Sequence, residues 1–132
     1  LIRRVGLANV ADRKPHTLSG GMRQRVALAR TLMEDRPVML LDEPFSALDA
    51  GLRAEMQELA AELFFGKTVL LITHDPAEAA RMGDRLFVMT ENGVVEFNAV
   101  PAPLQGRFIR DFDSADVLET TGRLLAKLRE TR

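Results

Sequence analysis

The chain has 132 residues, of which 46% are hydrophobic and 28% charged, the balance of one ordinary globular domain. With 18 basic and 19 acidic side chains its net charge is −1, which gives no electrostatic reason to expect nucleic acid or an anionic membrane as a direct partner. It has no cysteine, which excludes disulfides, thiolate metal sites and cysteine nucleophiles.

The first half of the chain is predicted to alternate helix and strand. Leu1 to Leu7 have the pattern of a helix end that stops near Gly6, and after a polar loop a helix begins at Ser19. Pro37 is predicted to end that helix. The apolar run 38–41 that follows predicts a strand buried on both faces, as in a parallel sheet covered by helices.

The second half continues the alternation, which predicts an α/β fold with a mainly parallel sheet and helices on both of its faces. The predicted elements are a helix capped by Asp49 over 50–65, a strand over 68–73, a helix capped by Asp75 that ends near Gly83, a hairpin of strands 85–90 and 94–97, and an amphipathic helix over 114–129. Residues 98–106 contain two prolines and are predicted to be a connector.

Two predicted strands end at residues that could carry chemistry. Asp42 and Glu43 follow the first strand, and His74 follows the second. In open α/β sheets, ligands bind beyond the carboxyl ends of the strands, so all three side chains are expected at one edge. Asp42 could bind a phosphate-held magnesium ion, Glu43 could polarise an attacking water, and His74 could contact a phosphate. Pro44 predicts an extended backbone at Glu43.

A third candidate is the glycine pair that opens the first helix. Gly20 and Gly21 leave backbone amides unobstructed, and a helix N-terminus attracts anions. A phosphate would be the natural ligand. Taken alone, such a stretch is more often a capped helix start with a structural role.

Together these stretches resemble the ATP-binding subunit of an ABC transporter, of the bacterial importer type. Leu18-Ser19-Gly20-Gly21-Met22 resembles the signature motif, and 38–43 resembles the Walker B strand. Ser46-Ala47-Leu48-Asp49 resembles the D-loop, and His74 resembles the switch histidine. The motifs stand in the family's order and spacing.

The resemblance implies that two ATPase subunits close head to tail around two ATP molecules. Contact with ATP held by the other subunit is implied for Ser19, Gly20, Gly21 and Met22. Magnesium binding is implied for Asp42, activation of water for Glu43, γ-phosphate contact for His74, and communication across the dimer for Asp49. The implied partners are a second ATPase subunit, transmembrane permease subunits and, indirectly, a solute-binding protein, with the ATPase peripheral at the cytoplasmic face of the inner membrane.

Two departures from the family pattern affect these expectations. Met22 replaces the usual glutamine, so any contact from that glutamine side chain is lost. No Walker A loop is present, so residues 1–97 are expected to be the carboxyl half of a P-loop NTPase (RecA-like) ABC ATPase domain, followed by a connector and helix over 98–132. Such a piece should hydrolyse ATP negligibly by itself, and its open strand edges should favour self-association.

Two other functions remain open at this point. One is a soluble ABC-type ATPase of DNA repair or translation, although the near-neutral charge argues against it. The other is a non-catalytic module for folding or dimerisation, which a crosslink from Ser19 to a partner's nucleotide would distinguish from catalysis.

Overall fold

A computed structural model of the chain describes residues 1–34, 36–97 and 108–130. They form two compact units, residues 1–72 and 73–132. No helix in these described ranges is long and apolar enough to cross a bilayer. The predicted connector over 98–106 lies outside the described residues.

The first unit contains two longer helices and two strands after a short irregular start. Its elements are 3₁₀ turns at Ala8–Val10 and Pro15–Thr17, helix α1 (Gly20–Met33), strand β1 (Val38–Asp42), helix α2 (Ala50–Leu63) and strand β2 (Thr68–Ile72). Its most deeply buried side chains include Val5, Phe45, Met56 and Gln57.

The helix end predicted near Gly6 is confirmed as a single closing turn. The Leu7 amide donates to the Ile2 carbonyl and the Gly6 amide to the Arg3 carbonyl, each at 3.0 Å, which is the Schellman pattern. Gly6 has φ +68°, a conformation that glycine adopts without a Cβ penalty. The Arg25 guanidinium on α1 donates to the Gly6 carbonyl at 3.0 Å, so this turn is held against α1.

Both helix starts predicted in this unit are confirmed by their caps. The Ser19 hydroxyl accepts a hydrogen bond from the Met22 amide at 3.2 Å, and Asp49 Oδ1 accepts from the Leu52 amide at 3.0 Å. These contacts satisfy amides that the first helical turn leaves without partners. The helix α1 ends at Met33, earlier than the predicted stop at Pro37.

Strands β1 and β2 pair in parallel, in a register that places Val38 opposite Thr68 and Asp42 opposite Ile72. The expectation that β1 is buried on both faces is wrong. Met39 and Leu41 are buried, whereas Leu40, on the opposite face, is 72% exposed. Successive side chains of a strand point to opposite faces, so an apolar run shows that a strand forms but not how many of its faces are covered.

The second unit is built around a hairpin flanked in sequence by two helices. Its elements are helix α3 (Pro76–Met82), strands β3 (Leu86–Thr90) and β4 (Gly93–Phe97), and helix α4 (Ala115–Glu130). The antiparallel return predicted after 91–93 is confirmed, with Leu86 opposite Phe97. One face of α4 joins the core of this unit, which consists of Ala80, Leu86, Val88, Val117 and Leu124.

A buried arginine closes the end of α3. The Arg110 guanidinium donates to the carbonyls of Gly83 at 2.9 Å and Arg81 at 3.3 Å, and Arg81 Nε donates back to the Arg110 carbonyl at 3.0 Å. Burial lowers the pKa of the Arg110 guanidinium, and the nearby Asp84 carboxylate opposes that change. The result is a positively charged cap on carbonyls that the helix end leaves unpaired.

The architecture is α/β, as predicted, with one two-stranded parallel sheet and one two-stranded antiparallel sheet in the described part of the chain. Strand β3 pairs with β4 and, among the described residues, with neither β1 nor β2. The described residues therefore do not form the single, mainly parallel sheet that the sequence predicted.

Candidate functional site

The start of α1 combines a cap with exposed glycine. Ser19 and Gly20 are exposed, and Gly21 and Met22 are half-buried. A Cβ on Gly21 would lie 3.2 Å from the Ala47 carbonyl oxygen, so glycine allows the helix start to approach the loop after β1 closely. This geometry suits a helix N-terminus that meets an anion, and it equally satisfies the structural role of a capped start.

The carboxylate pair lies at the end of β1. Asp42 is exposed and Glu43 is half-buried. The prediction that Glu43 is extended is wrong, because its φ is +48°, in the left-handed region. Pro44 does disfavour the right-handed helical conformation at the preceding residue. The left-handed alternative costs roughly 1–3 kcal/mol for a side chain of this type, and surrounding contacts must offset that cost.

Those contacts hold the Glu43 backbone at both of its polar groups. Its amide donates to the Ile72 carbonyl at 2.9 Å, which ties it to the end of β2. Its carbonyl accepts from Gln24 Nε2 at 2.7 Å and from the Ser46 hydroxyl at 3.1 Å. The position of Glu43 is thus set by α1, by β2 and by its own turn.

Gln24 is the residue that the sequence reasoning missed. It lies two positions beyond Met22, the position of the usual signature glutamine, and belongs to none of the motifs named above. In the structure its side chain also accepts from the Ala47 amide, at 2.7 Å to Oε1. The available signal was helical spacing: Gln24 lies three residues after Gly21, on the same face of α1.

Asp49 is exposed and caps α2, as described above. The carbonyl of the preceding residue, Leu48, accepts from the Arg53 guanidinium at 3.1 Å. The loop between Glu43 and Asp49 is therefore anchored to α1 at one end and α2 at the other. The contribution of Asp49 to communication between subunits remains a prediction.

His74 belongs to the second unit and is exposed, two residues beyond the end of β2. Its neighbours are well ordered by hydrogen bonds. The Thr73 hydroxyl donates to Glu78 Oε2 at 2.8 Å, and Asp75 Oδ1 caps α3 by accepting from the Ala77 amide at 2.9 Å. Asp75 thus has the capping role predicted for it. Convergence of His74 with the two carboxylates remains a prediction.

The donor set at the end of β1 is compatible with magnesium bound to a nucleotide. The described residues contain no group of three or more His, Cys, Asp or Glu side chains arranged to hold a metal ion. Magnesium, however, is usually bound through one or two carboxylates together with substrate phosphates and water. An exposed carboxylate at Asp42 fits that pattern, and a site built entirely from protein ligands is not required.

Known proteins similar to this chain are ABC transporter ATP-binding proteins. The family model described as "ABC transporter" matches residues 1–46. An uncharacterized ABC transporter ATP-binding protein of Haemophilus influenzae is 45% identical over 130 residues, which are 97% of this chain and 54% of the relative. The thiamine import ATP-binding protein ThiQ of Rhizobium meliloti is 48% identical over 101 residues, 75% of this chain and 42% of that protein.

A solved structure is similar over nearly the whole chain. It is a chain in the complex of an archaeal ribosomal stalk protein with an archaeal ribosome recycling factor, with a TM-score of 0.61 and 25% identity. The match covers 93% of this chain and 28% of that chain. The chain is thus an α/β segment of an ATP-binding domain. It belongs to the ABC transporter ATP-binding family, and it spans about half the length of the curated relatives it matches.

Proposed function

We propose that this chain is the part of an ABC importer ATPase subunit that carries the signature helix and the residues that act on the phosphates. The observation that supports this most directly is the contact between the start of α1 and the turn that holds Asp42 and Glu43. In that arrangement a helix N-terminus and two carboxylates belong to one compact unit. The curated relatives described above are ABC transporter proteins at 45% and 48% identity.

Each predicted site residue has a role in this proposal. Glu43 orients and polarises the water that attacks the γ-phosphate, a contribution of about 10²–10⁴ in rate. His74 donates a hydrogen bond to the same phosphate. The signature residues bind ATP held by a second ATPase subunit, through Ser19, Gly20, Gly21 and the backbone of Met22. Asp49 links the two subunits.

The cofactors of the proposed reaction are ATP and Mg²⁺. A magnesium ion bound with ATP would neutralise phosphate charge, and Asp42 is the residue that would hold it. The chain's own contribution is to place Glu43 by its backbone contacts and to present the amides of the α1 N-terminus. Since the matched relatives are about twice as long, ATP hydrolysis is proposed for the whole subunit. The isolated 132-residue chain should release phosphate from ATP at a negligible rate.

The partners proposed for the whole subunit follow from the importer relatives. They are a second ATPase subunit, permease subunits in the membrane and, through the permease, a solute-binding protein. The subunit would be peripheral at the cytoplasmic face of the membrane. The solute is a small molecule, whose identity the binding protein and permease would determine.

A chimera tests the catalytic proposal. This chain replaces the matching segment of the Rhizobium meliloti thiamine import ATP-binding protein, which supplies the remaining length. The chimera should hydrolyse Mg-ATP, and Glu43→Gln should lower kcat by about 10²-fold or more. The matched control is Glu55→Gln, an exposed glutamate on α2, which should leave kcat within about twofold. Equal effects of the two substitutions would refute the role of Glu43.

A second candidate function is supported by the solved structure. That structure is a complex that contains an archaeal ribosome recycling factor, so an ABC-type ATPase of translation is the second candidate. The identity is 25%, against 48% with the thiamine importer protein, which favours the importer. Cosedimentation of the chimera with ribosomes, in place of coupling to permease subunits in a transport assay, would favour the alternative.

A further inference from the structure

We infer that Gln24 is a positioning residue that fixes the backbone of Glu43 relative to the α1 N-terminus and thereby acts on the chemical step of ATP hydrolysis. This inference rests on the function proposed above. It concerns a side chain outside the signature motif, the Walker B strand and the D-loop as defined in this chain.

Both polar atoms of the Gln24 side chain form hydrogen bonds to the loop after β1. Gln24 Nε2 donates to the Glu43 carbonyl at 2.7 Å and to the Ser46 hydroxyl at 3.2 Å. Its Oε1 accepts from the Ala47 amide at 2.7 Å. Because a carbonyl can only accept and a backbone amide can only donate, the side-chain amide can satisfy both partners in one orientation alone. The side-chain amide of Gln24 therefore binds two backbone positions of the loop, the Glu43 carbonyl and the Ala47 amide.

The position it holds is one the chain would not adopt readily by itself. Glu43 is left-handed with φ +48°, a conformation that is uncommon for a residue with a Cβ. Its amide is fixed by Ile72 at 2.9 Å, so the Gln24 contact fixes the other side of the same residue. Without it, the Glu43 carbonyl would keep only the longer contacts from Ser46, the hydroxyl at 3.1 Å and the amide at 3.3 Å. The carbonyl would then be held less firmly, and the carboxylate would move with its backbone.

The contact also joins the two halves of the proposed site. Gln24 lies one helical turn after Gly21, whose Cα is close enough to the Ala47 carbonyl that an added Cβ would lie at 3.2 Å. Gln24 thus connects the start of α1, which would contact one phosphate, to the turn at Glu43, which would orient the water. Displacement of a catalytic group by about 1 Å can cost about a hundredfold in rate.

Two substitutions separate the contacts. Gln24→Met keeps an unbranched side chain of similar length and removes every hydrogen bond. Gln24→Glu keeps an acceptor for the Ala47 amide and places a carboxylate against the Glu43 carbonyl, where a donor is needed. In the chimera, both should lower kcat by about tenfold to a hundredfold with the KM for ATP within about twofold. Arg30→Met, at an exposed position of the same helix, is the control and should change neither constant.

Amide hydrogen exchange on the 132-residue chain gives the readout that does not depend on activity. Gln24→Met should accelerate exchange of the Ala47 amide by about tenfold or more, whereas Gln24→Glu should preserve its protection. Ser46→Ala removes the longer hydroxyl contact to the Glu43 carbonyl and leaves both short contacts of Gln24 in place, so it should lower kcat by less than Gln24→Met does. It provides a test in which the loop is perturbed and the folded state is retained.

The outcomes are distinguishable. Unchanged kcat in both Gln24 variants would overturn the inference, as would losses of kcat that match the loss of folded protein. A rise in KM with kcat unchanged would assign Gln24 to nucleotide binding and also overturn it. An inactive unsubstituted chimera would count against the proposed function and against the catalytic effect of Gln24, while Ala47 exchange would still decide whether Gln24 holds the loop.

Discussion

Substitution of Arg110 by methionine tests how the second unit is stabilised. The Arg110 side chain is 4% exposed and forms two kinds of contact. It donates to the Gly83 and Arg81 carbonyls at the end of α3, and it lies 3.5 Å from the carboxylate of Asp84, which is 87% exposed. The structure indicates that the carbonyl contacts matter and the ion pair contributes little.

The expected loss follows from these contacts. A hydrogen bond to a charged group contributes about 1.5–3 kcal/mol, so two such contacts contribute about 3–6 kcal/mol before burial of the charge is considered. Methionine removes that burial cost and keeps an apolar stem, which returns part of the loss. We therefore expect Arg110→Met to lower the free energy of unfolding by about 2–4 kcal/mol. Asp84→Asn should cost less than about 1 kcal/mol, because the exposed partner is screened by water.

Urea denaturation followed by circular dichroism measures both variants, and amide exchange within α3 assigns the change to the second unit. The decisive comparison is between the two substitutions. If Asp84→Asn destabilised the chain as much as Arg110→Met, the ion pair would be the main contribution. If Arg110→Met cost less than about 1 kcal/mol, the carbonyl cap would not stabilise α3 as argued.

Three further predictions concern stability and association. Asp49→Ala should lower the free energy of unfolding by about 1 kcal/mol through loss of the α2 cap, and Asp49→Asn by less, in the same denaturation assay; equal losses would exclude the cap as the cause. Gly83→Ala should lower the free energy of unfolding by about 1–3 kcal/mol, because the new Cβ would lie 2.5 Å from Leu86. Gly122→Ala, with open space around it, should leave the free energy of unfolding unchanged or raise it by up to about 1 kcal/mol. A larger loss from Gly122→Ala than from Gly83→Ala would contradict the packing described. The outer edges of both two-stranded sheets are unpaired among the described residues, so the chain should self-associate in sedimentation velocity, and Leu70→Lys should weaken that association; a well-folded monomer at all concentrations would contradict it.

Local signals in the sequence predicted most of the secondary structure. The caps at Ser19, Asp49 and Asp75 each act on amides two or three residues away, and all three appear in the structure. The turn at 91–93 is predicted from its own residues in the same way, and the α4 helix from its amphipathic pattern. Such features depend on interactions within a few residues, so a short stretch of sequence is sufficient to specify them.

The motifs in the sequence are also sufficient to indicate the family. They identified the candidate residues, and the comparisons confirmed the ABC transporter family. Their spacing did not determine backbone conformation. The rule for a residue before proline excluded one conformation at Glu43 without choosing between the extended and left-handed alternatives, and the extended one was wrong.

Contacts between distant residues were decided only by the tertiary structure. Gln24 reaches Ala47 and Arg110 reaches Arg81 across long stretches of chain, and neither contact leaves a periodic pattern in the sequence. The exposure of one face of β1 was likewise decided only by the tertiary structure. The apolar run specifies a strand, and the surrounding elements determine which of its faces is covered. The sequence by itself determined the local elements and the family, because both depend on residue types at short spacing. The support of Glu43 depended on which elements the fold brought together.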